Sequence, residues 1–323
     1  MVSAYSVDSI QSSGKPYMMY GTAWKKEKTA ELVADAIRSG FRFIDTACQP
    51  KHYNEPGVGE GIVTAMKELG LQRSDLFIQT KFTSVDGQDP DRIPYDKNAP
   101  LQEQVMQSVQ VSLRNLATTY IDSLVMHSPM RRMEDTILVW RQMEELVDAG
   151  VVRQIGISNC YDPKKCITIY NEARIKPSVL QNRFYPDSGF DVELRRFCRD
   201  HGVKYQSFWT LTGNIRALRN SRVVQMAKLK ELTEMTLMYG KILCNFHAKV
   251  IFLILIFNLS FLTFTWEAFM MRMGHIPLCG TTSKAHMLED VAIMERMQAG
   301  EEILSDQEMN EFSRLLGIDD DVE

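Results

Sequence analysis

Apolar residues follow two alternating patterns along most of the chain. Residues 27–40 carry apolar side chains at the spacing of one helix face and end at Gly40, a residue type that commonly caps helix C-termini. Residues 41–46, which contain Phe41, Phe43 and Ile44, follow directly and are predicted as a short strand. The two segments therefore predict a helix followed by a strand.

The same alternation repeats along the sequence. Further helices are predicted at 57–70, 101–117, 133–150, 163–174 and 192–202. Further strands are predicted at 76–81, 121–127, 151–159, 177–185 and 203–209, with others near 18–24 and 276–281. Such alternation predicts parallel strands joined by crossover helices. Eight units in 323 residues predict an α/β fold, a (β/α)8 TIM barrel in one domain over residues 1–323, with an open doubly wound sheet as the alternative.

One apolar run departs from these patterns. Residues 250–265 are rich in Phe, Ile and Leu, and this run is short for a membrane-spanning helix, which needs roughly 20 residues. It falls between the predicted seventh and eighth strands, where a barrel has one outer helix. We expect no membrane span and interpret the segment at about 239–265 as an anomalous apolar insertion that interrupts the barrel domain. A membrane-tethered protein is the alternative.

Composition limits the class of protein. Apolar residues make up 45% and charged residues 24% of the chain, as in soluble globular proteins with a sizeable core. The formal net charge of −4 argues against a nucleic-acid partner, which needs clustered Lys and Arg. Six cysteines without a CxxC pair predict no disulfide framework, and the histidines show no metal-ligand spacing. The sequence starts without the pattern of a secretory signal, so the cytoplasm is the expected compartment.

Three predicted strands end on ionisable residues, Asp45, Lys81 and His127, and Tyr53 follows soon after the first of them. Because the carboxyl ends of barrel strands meet at one mouth, we expect these side chains to lie together. A single such residue is more often a satisfied buried polar group. Three of different ionisable types favour a functional site.

Aspartate, lysine, histidine and tyrosine together can form a general acid. A free phenol has a pKa of about 10, too high to donate a proton readily at neutral pH. A nearby ammonium is expected to lower that pKa, and a carboxylate keeps the ammonium charged and oriented. A histidine can orient a substrate carbonyl. The set suits protonation of an oxygen while hydride reaches the adjacent carbon.

The longest predicted loop, residues 83–100, is rich in Asp, Pro and Gly and follows the strand that ends at Lys81. Long loops after barrel strands commonly shape substrate pockets. We therefore expect this loop to border the site.

Short segments spread over nearly the whole chain carry a family resemblance: GTAW, IDTA, YNE, GVG, QTKF, MHSP, IGISN, QNRFY and GTTS. In this order they resemble the aldo-keto reductases, which are (β/α)8 barrels that reduce aldehydes and ketones with a nicotinamide cofactor. The resemblance implies that Asp45, Tyr53, Lys81 and His127 form a catalytic tetrad, with Tyr53 as proton donor. If the alignment is anchored on the Asn-Glu pair that follows, His52 takes the tyrosine position instead.

The resemblance also implies a dinucleotide site. Ser158, Asn159 and Gln181 are expected to hold the nicotinamide carboxamide, and Phe208 is expected to stack on the nicotinamide ring. A phosphate and ribose loop is expected near the C-terminus, with the members Gly280, Thr281, Thr282, Ser283, Glu289 and Asp290.

The basic residues of that loop depart from the family pattern. Gly280 stands at the usual lysine position for a 2′-phosphate, and His286 stands at the usual arginine position. Lys284 is close enough in sequence to compensate. We expect NADP as the cofactor, with NAD possible.

A small-molecule carbonyl compound is the expected partner, and the expected state is a monomer or weak oligomer. A second function class is a catalytically impaired, cofactor-binding barrel. The altered basic residues and the interrupted seventh helix motivate that alternative.

Overall fold

Eight parallel strands form a closed barrel, in chain order, in the computed structural model, which describes residues 6–225 and 265–318. The strands are β1 (Met19–Gly21), β2 (Phe43–Asp45), β3 (Phe77–Phe82), β4 (Ile121–Met126), β5 (Val152–Ser158), β6 (Val179–Arg183), β7 (Lys204–Phe208) and β8 (Ile276–Cys279). The barrel closes where β1 pairs with β8. The predicted (β/α)8 barrel is confirmed, and the open sheet is wrong.

Helices cover the outside of the barrel. They are α1 (Val7–Ser13), α2 (Thr29–Ser39), α3 (Glu55–Leu69), α4 (Leu101–Asn115), α5 (Met133–Asp148), α6 (Pro163–Glu172), α7 (Val192–Asp200), α8 (Ile215–Leu218), α9 (Lys284–Gln298) and α10 (Asp306–Leu316). The predicted helices are confirmed with small shifts at their ends. The shift closest to Tyr53 is at α3, which begins two residues earlier than predicted. The reason is that Asn54 Oδ1 caps the helix by accepting a hydrogen bond of 3.1 Å from Gly57 N.

Two glycines let α3 pack unusually close to its neighbours. A Cβ atom on Gly59 would lie 2.0 Å from the carbonyl oxygen of Asn115 in α4, and one on Gly61 would lie 2.5 Å from that of Ala30 in α2. Any larger residue would push these helices apart. The helix α3, which follows the loop carrying Tyr53, is therefore held closely between α2 and α4.

Side chains inside the barrel change from aromatic to polar along its axis. At the amino-terminal end, the Phe43 ring lies 4.1 Å from the Tyr17 ring and 5.5 Å from the Phe77 ring, measured between centroids. Two residues further along β3 the interior residue is Gln79, and two further it is Lys81. The ionisable groups thus lie toward the carboxyl ends of the strands, as expected for a barrel site.

The connection from β7 to β8 contains α8 and two helical stretches, residues 221–225 and 265–272. The predicted apolar insertion at about 239–265 lies outside the described residues except for Thr265. Trp266 and Phe269 are buried, and the Phe269 ring stacks on Phe312 of α10 at 4.9 Å. Within residues 6–225 and 265–318, no helix combines the length and apolarity that a membrane crossing requires.

Candidate active site

A buried ion pair joins the ends of β2 and β3. Lys81 Nζ donates to both carboxylate oxygens of Asp45, at 2.7 and 2.6 Å, and to the carbonyl oxygen of Thr46 at 2.8 Å. Both side chains are almost fully buried. Because an ammonium has three N–H donors, these bonds use all of them. Lys81 can therefore act on a neighbouring group through its charge, without a further hydrogen bond.

A ring of glutamine amides surrounds the aspartate. Asp45 Oδ1 accepts hydrogen bonds from Gln79 Nε2 at 2.8 Å and from Gln181 Nε2 at 3.0 Å. Both amides also donate to Gln206 Oε1, at 2.7 and 2.8 Å. The Asp45 carboxylate thus joins β2, β3 and β6, and Gln206 of β7 is joined to it through the two amides. The hydrogen bonds to the carboxylate compensate the cost of burying its charge. Gln181, expected to hold a carboxamide, contributes its amide to this network.

Tyr53 lies against two of the other tetrad residues. Lys81 Nζ is 5.3 Å from the centroid of the Tyr53 ring, and the His127 ring meets it edge-on at 6.0 Å between centroids. The backbone N–H of Tyr53 donates to the carbonyl oxygen of Gln49 at 3.0 Å. The structure therefore brings Asp45, Lys81, Tyr53 and His127 into one cluster.

His52 points elsewhere. Its Nδ1 lies 3.0 Å from Gln49 Oε1, and its ring packs on that of Trp24 at 4.1 Å between centroids. The backbone N–H of Trp24 donates to the carbonyl oxygen of His52 at 2.7 Å. The side chain in contact with Lys81 is thus that of Tyr53.

Glu55, which follows Tyr53 and Asn54, fixes the end of the loop that carries Tyr53. Glu55 is buried and accepts hydrogen bonds from Thr80 Oγ1 at 2.5 Å, Ser112 Oγ at 2.9 Å and Asn115 Nδ2 at 3.0 Å. These donors lie on β3 and α4. Desolvation raises the pKa of Glu55, and the hydrogen bonds oppose that rise. Glu55 therefore anchors α3, and with it Tyr53, to the strand that carries Lys81.

His127 is held by the strand ends on either side of it. Its Nδ1 lies 2.7 Å from Thr83 Oγ1, and its carbonyl oxygen accepts from Asn159 Nδ2 at 2.8 Å. Desolvation lowers the pKa of His127 to about 3, assisted by repulsion from the positive charge of Lys81. The imidazole is therefore neutral at physiological pH.

The pKa of Tyr53 differs from the sequence-based expectation. Desolvation raises it, and the negative charge of Asp45 raises it further, whereas a neighbouring ammonium was expected to lower it. Burial also lowers the pKa of Lys81, against the attraction of Asp45. Desolvation and the negative charge of Asp45 therefore outweigh the attraction that the Lys81 ammonium offers to a phenolate. Tyr53 keeps its proton at neutral pH.

The pair expected to hold a carboxamide stands next to the cluster. Ser158 Oγ donates to the carbonyl oxygen of Gln181 at 2.7 Å, and Asn159 adopts a left-handed backbone conformation with φ 51°. That conformation directs the Asn159 side chain toward the His127 carbonyl described above. Tyr161, which the sequence reasoning missed, donates to Asn159 Oδ1 at 3.3 Å.

The expected phosphate loop lies between β8 and α9. Ser283 caps α9, accepting from the His286 N–H at 3.5 Å, and its own N–H donates to Thr281 Oγ1 at 3.1 Å. Gly280 and Thr282 are exposed. Free N–H groups at a helix start and nearby hydroxyls suit a phosphate.

Sequence reasoning missed a lysine that donates hydrogen bonds to this loop. Lys25, which follows β1, is only 8% exposed, and its Nζ donates to the carbonyl oxygens of Gly280 and Thr281. A Cβ atom on Gly280 would lie 4.0 Å from that Nζ. Burial lowers the pKa of Lys25. Because β1 and β8 are neighbours in a closed barrel, the pairing of first and last strands was the signal that could have found it.

Three other expected cofactor residues face different surroundings. Asp290 is buried and accepts from Cys279 Sγ at 2.8 Å, and desolvation raises its pKa to about 6. It therefore lies beneath β8, away from the exposed part of the loop. Glu289 is half-buried on the same helix. Phe208 is half-buried at the end of β7, beside Arg183 of β6.

The loop 83–100 borders the mouth, as expected. Tyr95 Oη and Gln88 Nε2 donate to the carbonyl oxygen of Thr83, at 2.6 and 3.2 Å, which ties the loop to the residue that contacts His127. A cavity of about 330 Å³ lies between the loops after β3 and β4, lined by Ser84, Asp86, Gly87, Ser128, Met130 and Arg131. The rim of the site is thus polar.

Comparison with known proteins identifies the family. A profile of the Aldo/keto reductase family matches residues 14–299. The chain belongs to the aldo/keto reductase family. Family membership makes this aldo/keto reductase an oxidoreductase and supports carbonyl reduction with a nicotinamide cofactor as its general type of reaction.

Individual relatives agree with this assignment. An uncharacterized oxidoreductase of Schizosaccharomyces pombe is 27% identical over 81% of this chain and 76% of its own length. Glyoxal reductase of Bacillus subtilis is 32% identical over 62% of this chain and 64% of its own, and the NAD(P)H-dependent D-xylose reductase of Pachysolen tannophilus is 32% identical over 50% and 54%. The match thus spans between about half and three quarters of these relatives.

A solved structure supports the fold. The aldose reductase from Schistosoma japonicum superposes with a TM-score of 0.68 over 93% of this chain and 88% of its own, at 21% identity. At that identity the likeness concerns the barrel alone.

Proposed function

We propose that this aldo/keto reductase reduces the carbonyl group of a small aldehyde or ketone to an alcohol, with Asp45, Tyr53, Lys81 and His127 as its catalytic tetrad. The observation that carries the proposal is the position of the Tyr53 ring, which lies against both Lys81 and His127. A monomer or weak oligomer that acts in the cytoplasm is part of the same proposal.

Ser158, Asn159, Gln181 and Phe208 would hold a dihydronicotinamide, which would supply the hydride for the carbonyl carbon. Side chains of the protein orient and protonate the carbonyl oxygen. Tyr53 is a neutral phenol at neutral pH and gives its proton to the oxygen as negative charge develops there. If Thr83 Oγ1 donates to Nδ1 of His127, the imidazole carries its proton on Nε2 and can orient the carbonyl oxygen. The charge of Lys81 stabilises the resulting phenolate until it regains a proton from water.

The residues present fit a dinucleotide. The loop 280–283 offers hydroxyls and helix N–H groups for phosphate, with the Lys25 ammonium beside it. Ser158, Asn159 and Gln181 offer polar groups next to His127, and Phe208 offers a ring at the end of β7. Glu289 remains a candidate for the ribose or adenine end, whereas burial makes Asp290 a weaker one.

The tetrad assignment is tested by comparing Tyr53→Phe with His52→Ala. We expect Tyr53→Phe to lose carbonyl reduction by about a hundredfold or more, because the proton donor is gone, while NADPH affinity stays nearly unchanged. His52→Ala, as the matched control, should keep most of its turnover because its ring packs on Trp24. Steady-state NADPH oxidation against a panel of aldehydes measures both. Full turnover by Tyr53→Phe together with loss in His52→Ala would reverse the assignment.

For the cofactor we propose NADP, with only a weak preference over NAD, because Gly280 and His286 replace two basic residues. Lys25, which follows β1, supplies the remaining positive charge. Lys25→Met should weaken NADPH binding about tenfold and NADH binding much less, since a charge-assisted hydrogen bond contributes about 1.5–3 kcal/mol. Lys284→Met is the control, because Lys284 is exposed on the first turn of α9. Fluorescence titrations with both dinucleotides decide; a larger effect of Lys284→Met would show that Lys25 is not the phosphate ligand.

We also propose that the segment at about 239–265 interrupts a working barrel, with a catalytically impaired variant as the alternative function. Excision should stop at residue 264, because Thr265 and Trp266 are buried. Removal of 239–264 should raise soluble yield and NADPH affinity, since a sequence so rich in Phe, Ile and Leu promotes aggregation. A deletion extended through Phe269 is the control and should be insoluble. If the full chain is monodisperse, binds NADPH tightly and loses both properties on excision of 239–264, the segment is a genuine structural element.

A further inference from the structure

Arg183 stands at the mouth of the barrel, at the carboxyl end of β6. Side chains alternate along a strand, so Arg183 shares the inward face of Gln181, whose amide contacts Asp45. In the sheet it is paired with Phe208 at the end of β7. Its backbone N–H donates to Tyr161 Oη at 3.1 Å, and that hydroxyl donates to Asn159. Arg183 is therefore tied to the proposed carboxamide site.

Aromatic rings hold its guanidinium. The guanidinium carbon lies 4.5 Å from the ring centroid of Trp209, 5.9 Å from that of Phe208 and 6.0 Å from that of Tyr185. Rings at such distances attract a cation and restrict the plane of the guanidinium, while they leave its N–H groups unbonded. The half-buried side chain is thus oriented before any ligand arrives.

The charge of Arg183 is not matched by a carboxylate in the described part of the chain. Its buried Nε has no hydrogen-bond partner there, and no ion pair to it is formed by residues 6–225 or 265–318. The other charges of the mouth are compensated, since Lys81 pairs with Asp45 and His127 is neutral at physiological pH. Leaving a partly buried cation without an anionic partner is costly unless a ligand provides one.

We propose that Arg183 is a receptor for an oxyanion beside the reacting carbonyl. A guanidinium fixed in its plane suits a carboxylate or a phosphate, which it can bind through two parallel N–H donors. The anion is either a carboxylate on the substrate or a phosphate of the dinucleotide. If the anion is a substrate carboxylate, the inference rests on the proposed carbonyl reduction. If it is a phosphate of the dinucleotide, the inference rests on dinucleotide binding alone.

The test compares the wild type with Arg183→Gln and Arg183→Lys on 4-carboxybenzaldehyde and on its uncharged methyl ester. If the substrate supplies the anion, Arg183→Gln raises KM for the acid about tenfold or more and leaves KM for the ester unchanged. Arg183→Lys should recover part of the loss, because it keeps the charge but not the paired donors.

If the dinucleotide supplies the anion, the dissociation constant of NADPH rises by a similar factor in Arg183→Gln, measured by quenching of tryptophan fluorescence without aldehyde. Either shift supports the receptor. The inference is wrong if acid and ester lose equally while NADPH affinity is unchanged, or if none of these constants moves by more than about threefold. Absence of wild-type turnover on both aldehydes would overturn the proposed function instead, and 4-carboxybenzaldehyde binding, followed by the same fluorescence, would then decide the role of Arg183.

Discussion

A buried ion pair between Lys81 and Asp45 is the interaction on which the rest of the site depends. Two opposite charges in a barrel interior lose their hydration, and the pair persists because each remaining polar atom has a partner. The carbonyl oxygen of Thr46 accepts the remaining hydrogen bond of the lysine, and two glutamine amides donate hydrogen bonds to the aspartate. Removal of one partner alone would leave an unpaired buried charge, which typically costs about 3–5 kcal/mol.

The position of the phenol follows from constraints on either side of it. Before Tyr53, the turn from Gln49 fixes the backbone. After it, the buried Glu55 and the close packing at Gly59 fix the start of α3. The ring is therefore placed by packing and hydrogen bonds around it, without a direct bond to Lys81.

Much of this arrangement could be predicted from the sequence. Helix–strand periodicity was sufficient for all eight strands, and strand ends located Asp45, Lys81 and His127, because parallel strands carry their ends to one mouth. The sequence could not decide whether His52 or Tyr53 takes the tyrosine position, since that depends on how the loop after β2 turns. The pKa of Tyr53 was predicted in the wrong direction, because burial and the position of the Asp45 charge are properties of the fold.

Lys25 and Arg183 were missed for different reasons. Lys25 reaches Gly280 across the barrel closure, a contact between residues more than 250 positions apart. Arg183 lies only two residues after Gln181, so strand alternation alone could have directed attention to it. Both are cations, and the role of each depends on the groups that surround it in the fold.

The central claim is that the buried pair serves the chemistry of Tyr53 as well as the fold. The most direct measurement uses the double variant Asp45→Asn with Lys81→Met, because replacing both partners leaves no unpaired charge in the barrel. NADPH affinity and single-turnover reduction of an uncharged aldehyde are measured on the same preparation. The account predicts a folded protein that binds NADPH within about threefold of the wild type and reduces the aldehyde about a hundredfold or more slowly. Reduction at the wild-type rate by this folded double variant would contradict it.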